Sequence, residues 1–195
     1  MPKRIAIIQG HPDPRGIHFG HALAAAYSQG ARDGGHETKR IEVAKLDFPL
    51  LRSQEDFEHG APPDAIRQAQ ETINWADHVV IFFPLWMGTM PALLKGFLEQ
   101  VFRPAFASDP SATGGLPKGR LKGKSARIIV TMGMPAFFYR LYFLAHGVRG
   151  LESGVLRLAG FGPIRESLIG SVDAANPAQR GAWLKKMRVL GRKGE

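Results

Sequence analysis

Three short stretches of the chain hold residue types that could do chemistry, and each follows an apolar run. The first is Gly10-His11-Pro12-Asp13-Pro14-Arg15-Gly16-Ile17-His18-Phe19. It leads into a helically spaced pattern, so free backbone N–H groups and the positive end of a helix dipole would meet there, a setting suited to phosphate. An ordinary proline-rich strand-to-helix turn would look the same. The second stretch, Pro84-Leu85-Trp86-Met87-Gly88-Thr89-Met90-Pro91, carries apolar side chains where polar turn residues are usual. That composition suits a flat aromatic ligand or burial under a neighbouring subunit, and both can hold. The third stretch runs from Thr131-Met132-Gly133 to Tyr139 and on to His146-Gly147. Tyr139 and His146 are seven residues apart, two turns if the segment is helical, and either could donate a proton or hydrogen bond to a developing oxyanion. Each is also readable as a half-buried aromatic and a surface histidine.

Other chemistries are excluded by what the chain lacks. Without cysteine there are no disulfides, no thiolate-held metal and no thiol nucleophile, so redox work needs an organic cofactor. His11, His18 and His21 invite a metal, but no His-Glu-x-x-His is present and only Asp13 lies near them, so no metal is expected. A Gly-x-Ser-x-Gly elbow is missing. Gly119 to Ser125 approaches a phosphate-binding loop, but its glycine spacing is one residue short and it precedes a strand instead of following one.

The charge is +9, from 26 Lys and Arg against 17 Asp and Glu. It concentrates in Lys118, Arg120, Lys122, Lys124 and Arg127, and again in Arg180, Lys185, Lys186, Arg188, Arg192 and Lys193. A solvated basic face, nucleic acid, an anionic membrane surface and a phosphorylated small molecule all fit such a surplus. No RNA-recognition signature or zinc-finger spacing is visible, which leaves a basic nucleic-acid-binding module as a rival only. The apolar run Ile5–Ile8 is too short for a signal peptide, and Val79–Leu94 contains Pro84 and Pro91, so the expectation is a cytoplasmic protein without a membrane span.

These stretches need elements to position them. Arg4–Gln9 is a strand, Phe19 to about Arg32 a helix, and Ile41–Val43 a weak second strand. Asp47–Pro63 is a polar loop, followed by a helix over Asp64–Trp75 and a buried strand over Val79–Phe83. Pro91 opens a helix through Phe102, and Ala107–Lys124 is a long loop. Arg127–Thr131 is a fourth strand, Phe138 to about Glu152 a helix, and Ile164–Val172 holds a fifth strand. Asn176-Pro177 starts the last helix. Alternation of this kind implies one α/β domain over residues 1–195, an open parallel five-stranded sheet with helices on both faces. Ligands of such sheets sit beyond the carboxyl ends of the strands, near the reversal of strand order.

The chain resembles the flavodoxin-like NAD(P)H:quinone oxidoreductases, the group that includes DT-diaphorase, the modulator-of-drug-activity reductases and the potassium-efflux ancillary proteins. The resemblance is carried by His11-Pro12-Asp13-Pro14 with Phe19, by Phe83-Pro84-Leu85-Trp86 continuing to Pro91-Ala92-Leu93-Leu94-Lys95-Gly96-Phe97, and by Thr131-Met132-Gly133 with Tyr139, His146-Gly147 and Gly160-Phe161. It implies a bound flavin, FAD or FMN, with NADH or NADPH as co-substrate and a quinone or similar acceptor reduced by two electrons in alternation. His11, His18 and Phe19 become phosphate-loop residues. Pro84, Leu85, Trp86, Met87, Thr131 and Gly133 become flavin neighbours, Arg180 approaches the outer part of the cofactor, and Tyr139 and His146 become catalytic. The resemblance also implies a homodimer, and it brings the alternative of a regulatory flavoprotein subunit on a potassium-efflux transporter. His18 and Gly20 stand where the family often has a hydroxyl residue and Asn, Met87 stands where an aromatic is common, and the Tyr–His spacing is one residue longer than in the animal enzymes.

Overall fold

The computed structural model describes residues 1–108 and 119–195. The strands are β1 (Arg4–Gln9), β2 (Glu37–Glu42), β3 (His78–Pro84), β4 (Ser125–Thr131) and β5 (Ile164–Ile169). They form one sheet in the order β2-β1-β3-β4-β5, with every neighbouring pair parallel. The helices are α1 (Phe19–Asp33), α2 (Gln54–His59), α3 (Asp64–Trp75), α4 (Ala92–Val101), α5 (Pro104–Ala107), α6 (Ala136–Leu141), α7 (His146–Leu151) and α8 (Pro177–Lys193).

Strand periodicity divides the core between the two faces of the sheet. Ile5, Ile7, Val80 and Phe82 pack with Leu23 and Tyr27 of α1 and Met187 of α8. Ala6, Ile8, Val79, Ile81 and Phe83 turn the other way, towards Ile66 and Ile73 of α3, Leu94 and Phe97 of α4, and Val148 and Leu151 of α7. β1 and β3 are buried on both sides, which explains their unbroken apolar runs. The chain passes from β1 outward to β2 and then back across to β3, so the strand order reverses at the carboxyl end of β1.

Three expectations change. β2 covers Glu37–Glu42 instead of Ile41–Val43, because an edge strand with one solvated face needs few apolar residues. The polar loop 47–63 contains α2, whose N-terminus is capped by the Ser53 hydroxyl accepting from the Asp56 N–H. The single helix expected over residues 138–152 is broken at Tyr142–Ala145, where Leu144 and Ala145 take φ of 52° and 50°. A π-helical segment, Glu152–Arg157, follows α7. The last helix begins as read: the Asn176 side chain accepts from the Gln179 N–H, and the Gln179 side chain accepts from the Asn176 N–H.

The basic run also finds its place. Lys118 lies outside the described residues. Arg120 donates to the Ala105 carbonyl, Lys124 to the carbonyls of Asn74 and Ala76, and Arg127 to the Ser167 hydroxyl. Lys124 and Ser125 stand at the amino end of β4, about 20 Å of strand from its carboxyl end. These cations brace the far edge of the sheet and do not line the mouth at the strand ends. Among the described residues, no helix is long and apolar enough to cross a membrane.

Candidate functional site

The loop after β1 is held by side chains of its own. The Gln9 amide reaches back to donate to the Gly20 carbonyl, and its oxygen accepts from the His11 N–H. His11 Nδ1 accepts from the Asp13 N–H at 3.0 Å. Asp13 in turn binds Arg15 and, at 2.8 Å, His18 Nε2. These bonds hold its carboxyl well below the usual carboxylate range, Arg15 first and His18 next.

The imidazoles of His11 and His18 stack with centroids 4.0 Å apart, and His21 lies 5.1 Å from His11. Burial, and then the neighbouring histidines, lower His11 to a pKa of about 4. His21 is lowered for the same first reason, followed by Arg40 and His18. Its Nδ1 is buried without a hydrogen-bond partner. His18 occupies the N-cap of α1 but makes no side-chain cap, and the first turn carries no acidic residue. A 15-residue helix thus begins without a side-chain cap: the His21 and Ala22 N–H groups share the His18 carbonyl, and the Phe19 and Gly20 N–H groups ahead of them have no acceptor within the helix.

The loop after β3 turns back on itself. Trp86 and Thr89 exchange both backbone hydrogen bonds, at 2.8 and 2.9 Å, across Met87 and Gly88, whose φ values are 49° and 79°. Positive φ at both central residues is the tight hairpin turn that glycine favours at its second position, and Met87 accepts strain at the first. Met87 is left at the tip, 99% exposed. The loop is tied to the sheet by the Leu85 N–H donating to the Thr131 carbonyl at 2.7 Å, with Pro84 and Thr131 in register.

Tyr139 and His146 reach this turn from the side of α6 and α7. The Tyr139 hydroxyl is buried and donates to the Gly88 carbonyl at 3.0 Å. Burial pushes its pKa up, against the backbone N–H groups of Val148 and Gly147, which favour the ionised form. His146 is exposed, with Nδ1 2.9 Å from the Phe143 carbonyl, an arrangement that leaves Nε2 free. The His146 ring lines an apolar groove of about 760 Å³ with Trp86, Met87, Thr89 and Lys95. The helix break brings the two side chains together, with ring centroids 6.5 Å apart.

The site residues expected from sequence therefore form two neighbouring groups. His11, His18 and Phe19 gather at the start of α1. The Arg180 guanidinium lies 5.4 Å from the Phe19 ring and also donates to the carbonyls of Val172 and Ala175. Trp86 joins them, its ring edge-on to His11 at 6.2 Å. Pro84, Leu85 and Thr131 form the floor at the strand ends. Gly133 leaves room beside the Asp173 carboxylate, which an added Cβ would meet at 2.6 Å. Met87, Tyr139 and His146 form the second group, around Gly88. His21 is the further member of the first group; its i, i+3 spacing from His18 at a helix start was the available signal. Among the described residues, no cluster of potential metal ligands occurs.

A parallel sheet in this order, with an open helix start after β1 and apolar loops after β3 and β4, defines a doubly wound α/β protein of the flavodoxin class. The chain belongs to the Flavodoxin_2 family, described by its flavodoxin-like fold, which matches residues 3–189. The rat NAD(P)H dehydrogenase [quinone] 1 is 24% identical over 221 residues, covering 96% of this chain and 77% of its own. An NAD(P)H:quinone oxidoreductase from Methanothermobacter marburgensis superposes with a TM-score of 0.82 at 22% identity, over 100% of this chain and 97% of its own. An FMN-dependent NADH-azoreductase from Bacillus anthracis, solved in complex with FMN, gives 0.75 at 14% identity, over 99% of both chains.

Proposed function

We propose that the protein is a flavin-dependent NAD(P)H:quinone oxidoreductase that works by alternation, with NADH or NADPH and then the acceptor using one pocket. The observation that carries this is the cradle where the strand order reverses. An uncapped helix start, His21 with its unpartnered Nδ1 and the Arg180 cation beside Phe19 would hold a phosphate, next to an apolar loop and Trp86 suited to a flat ring system. These residues fit both FAD and FMN. When bound, the flavin supplies the two-electron carrier that the side chains cannot.

The chain's own residues bind, orient and exclude water. His11, His18, Phe19 and Arg180 hold the phosphate end. Pro84, Leu85, Trp86, Met87, Thr131 and Gly133 surround the ring. His146, with Nε2 free on the groove, exchanges a proton or hydrogen bond with the acceptor. Tyr139, which the resemblance implies to be catalytic, has its hydroxyl committed to the Gly88 carbonyl, and we read it instead as positioning the turn beside the acceptor. Support for a homodimer comes from two apolar grooves of about 740 and 760 Å³ that share Lys95 and Val155, next to exposed Trp86, Met87 and Leu158. The cysteine-free composition suits a reducing, cytoplasmic setting. The test is turnover: purified, flavin-loaded protein is expected to oxidise NADH or NADPH when a quinone is added. Flavin loading with no such oxidation contradicts the proposal.

A further inference from the structure

We propose that His21, packed beside the stacked imidazoles of His11 and His18, is a residue of the cofactor-phosphate site and takes up a proton when the phosphate seats. This rests on the flavin site proposed above. Three imidazoles lie within 4.0 to 6.0 Å of one another at a helix start without a side-chain cap, and among them His21 keeps a buried Nδ1 without a partner, which an anion there would favour in its protonated form. A hydroxyl cap would close that helix start with a neutral oxygen, whereas histidine brings a group that changes charge.

The surroundings fix the direction of the effect. His21 is faced by Arg40 and Glu42 of β2, by His18 and by Asp13. Glu42 is itself engaged by Arg40 and Lys45. His11 is faced by His18, His21 and Asp13, and by the edge of Trp86. Asp13 is spent on Arg15 and His18, so little carboxylate is left to hold a proton on His11 or His21 in the ligand-free loop. Burial keeps these two neutral. An arriving phosphate supplies the missing negative charge and raises the proton affinity of His21, whose Nδ1 has no partner, whereas His11 Nδ1 already accepts from the Asp13 N–H. By linkage, phosphate-bearing flavins bind more tightly as the pH falls through the ordinary histidine range, by up to about tenfold per pH unit for one proton.

The experiment is calorimetric titration of the flavin-free protein with FAD, FMN and riboflavin, in buffers of different ionisation enthalpy. The expected result is net proton uptake with FAD or FMN, and none with riboflavin, which lacks the phosphate. The uptake is diminished in His21→Asn, which cannot protonate there. FAD matters because its pyrophosphate has no ionisation near neutral pH; uptake with FMN alone, while FAD binds without it, assigns the proton to the phosphate monoester and overturns the proposal. Phosphorylated flavins that bind without proton exchange also overturn it, leaving the flavin site intact. Failure of every flavin to bind defeats both. Should His21→Asn not fold, the side-chain nitrogen resonances of wild-type His21 decide: imidazolium on flavin binding supports the proposal, and a ring that stays neutral overturns it.

Discussion

At the scale of residues, the molecule carries imidazoles that burial keeps uncharged. His78 opens β3, with Nδ1 2.8 Å from the Ser125 hydroxyl and Nε2 buried without a partner. Burial, then Lys3 and Arg127, lower its pKa to about 3. The unfolded chain titrates near the ordinary histidine value of about 6.5, so in acid it binds a proton that the folded chain refuses. The stability contributed by neutral His78 is complete above that ordinary value. It falls as the pH drops towards about 3, with a limiting slope of about 1.4 kcal/mol per pH unit. Urea unfolding from neutral pH to pH of about 4 is expected to show a shallower acid loss in His78→Gln than in wild type. Parallel curves would contradict the assignment. His11 and His21 add acid loss of the same sign, but at a loop where an anion can reverse it.

At the scale of elements, the turn Trp86–Thr89 is held between the sheet and the broken helix. Gly147 opens the first turn of α7 against it: an added Cβ would stand 2.5 Å from the Gly88 carbonyl oxygen and 2.8 Å from the Thr89 Cα. Both are backbone atoms, so one element must move. Gly147→Ala is expected to cost about 1–3 kcal/mol in denaturant unfolding. Gly150→Ala, in the same helix with open space around it, is expected to be neutral or slightly stabilising. Equal effects at the two positions would contradict this packing. The break that creates the contact was not legible in the sequence, because Leu144 and Ala145 take left-handed φ without a glycine to mark it. The apolar runs of β1 and β3 and the Asn176-Pro177 start of α8 were legible, since burial on both faces and cap chemistry leave direct marks on residue type. β2 was misplaced, because one-sided burial leaves little pattern. The loop proposed to hold phosphate was legible as a loop after a strand, whereas the part proposed for His21 depends on its packing beside the stacked His11 and His18, which only the folded loop produces.

At the scale of the whole molecule, the surplus charge divides by location. Arg120, Lys124 and Arg127 brace the amino end of β4, whereas Arg180 stands beside Phe19 at the start of α1. The apolar grooves beside the site suit a second copy of the chain. Analytical ultracentrifugation is expected to find a dimer that Leu158→Asp, at the groove lining, weakens; a flavin-loaded, active wild-type monomer would contradict it. The central claim is most directly tested by the visible absorption spectrum of the purified protein supplied with FAD or FMN. A bound-flavin spectrum is expected that bleaches under NADH or NADPH without oxygen and returns on addition of a quinone. A protein that takes up no flavin, or whose bound flavin keeps its absorbance under both nicotinamides, would contradict the account.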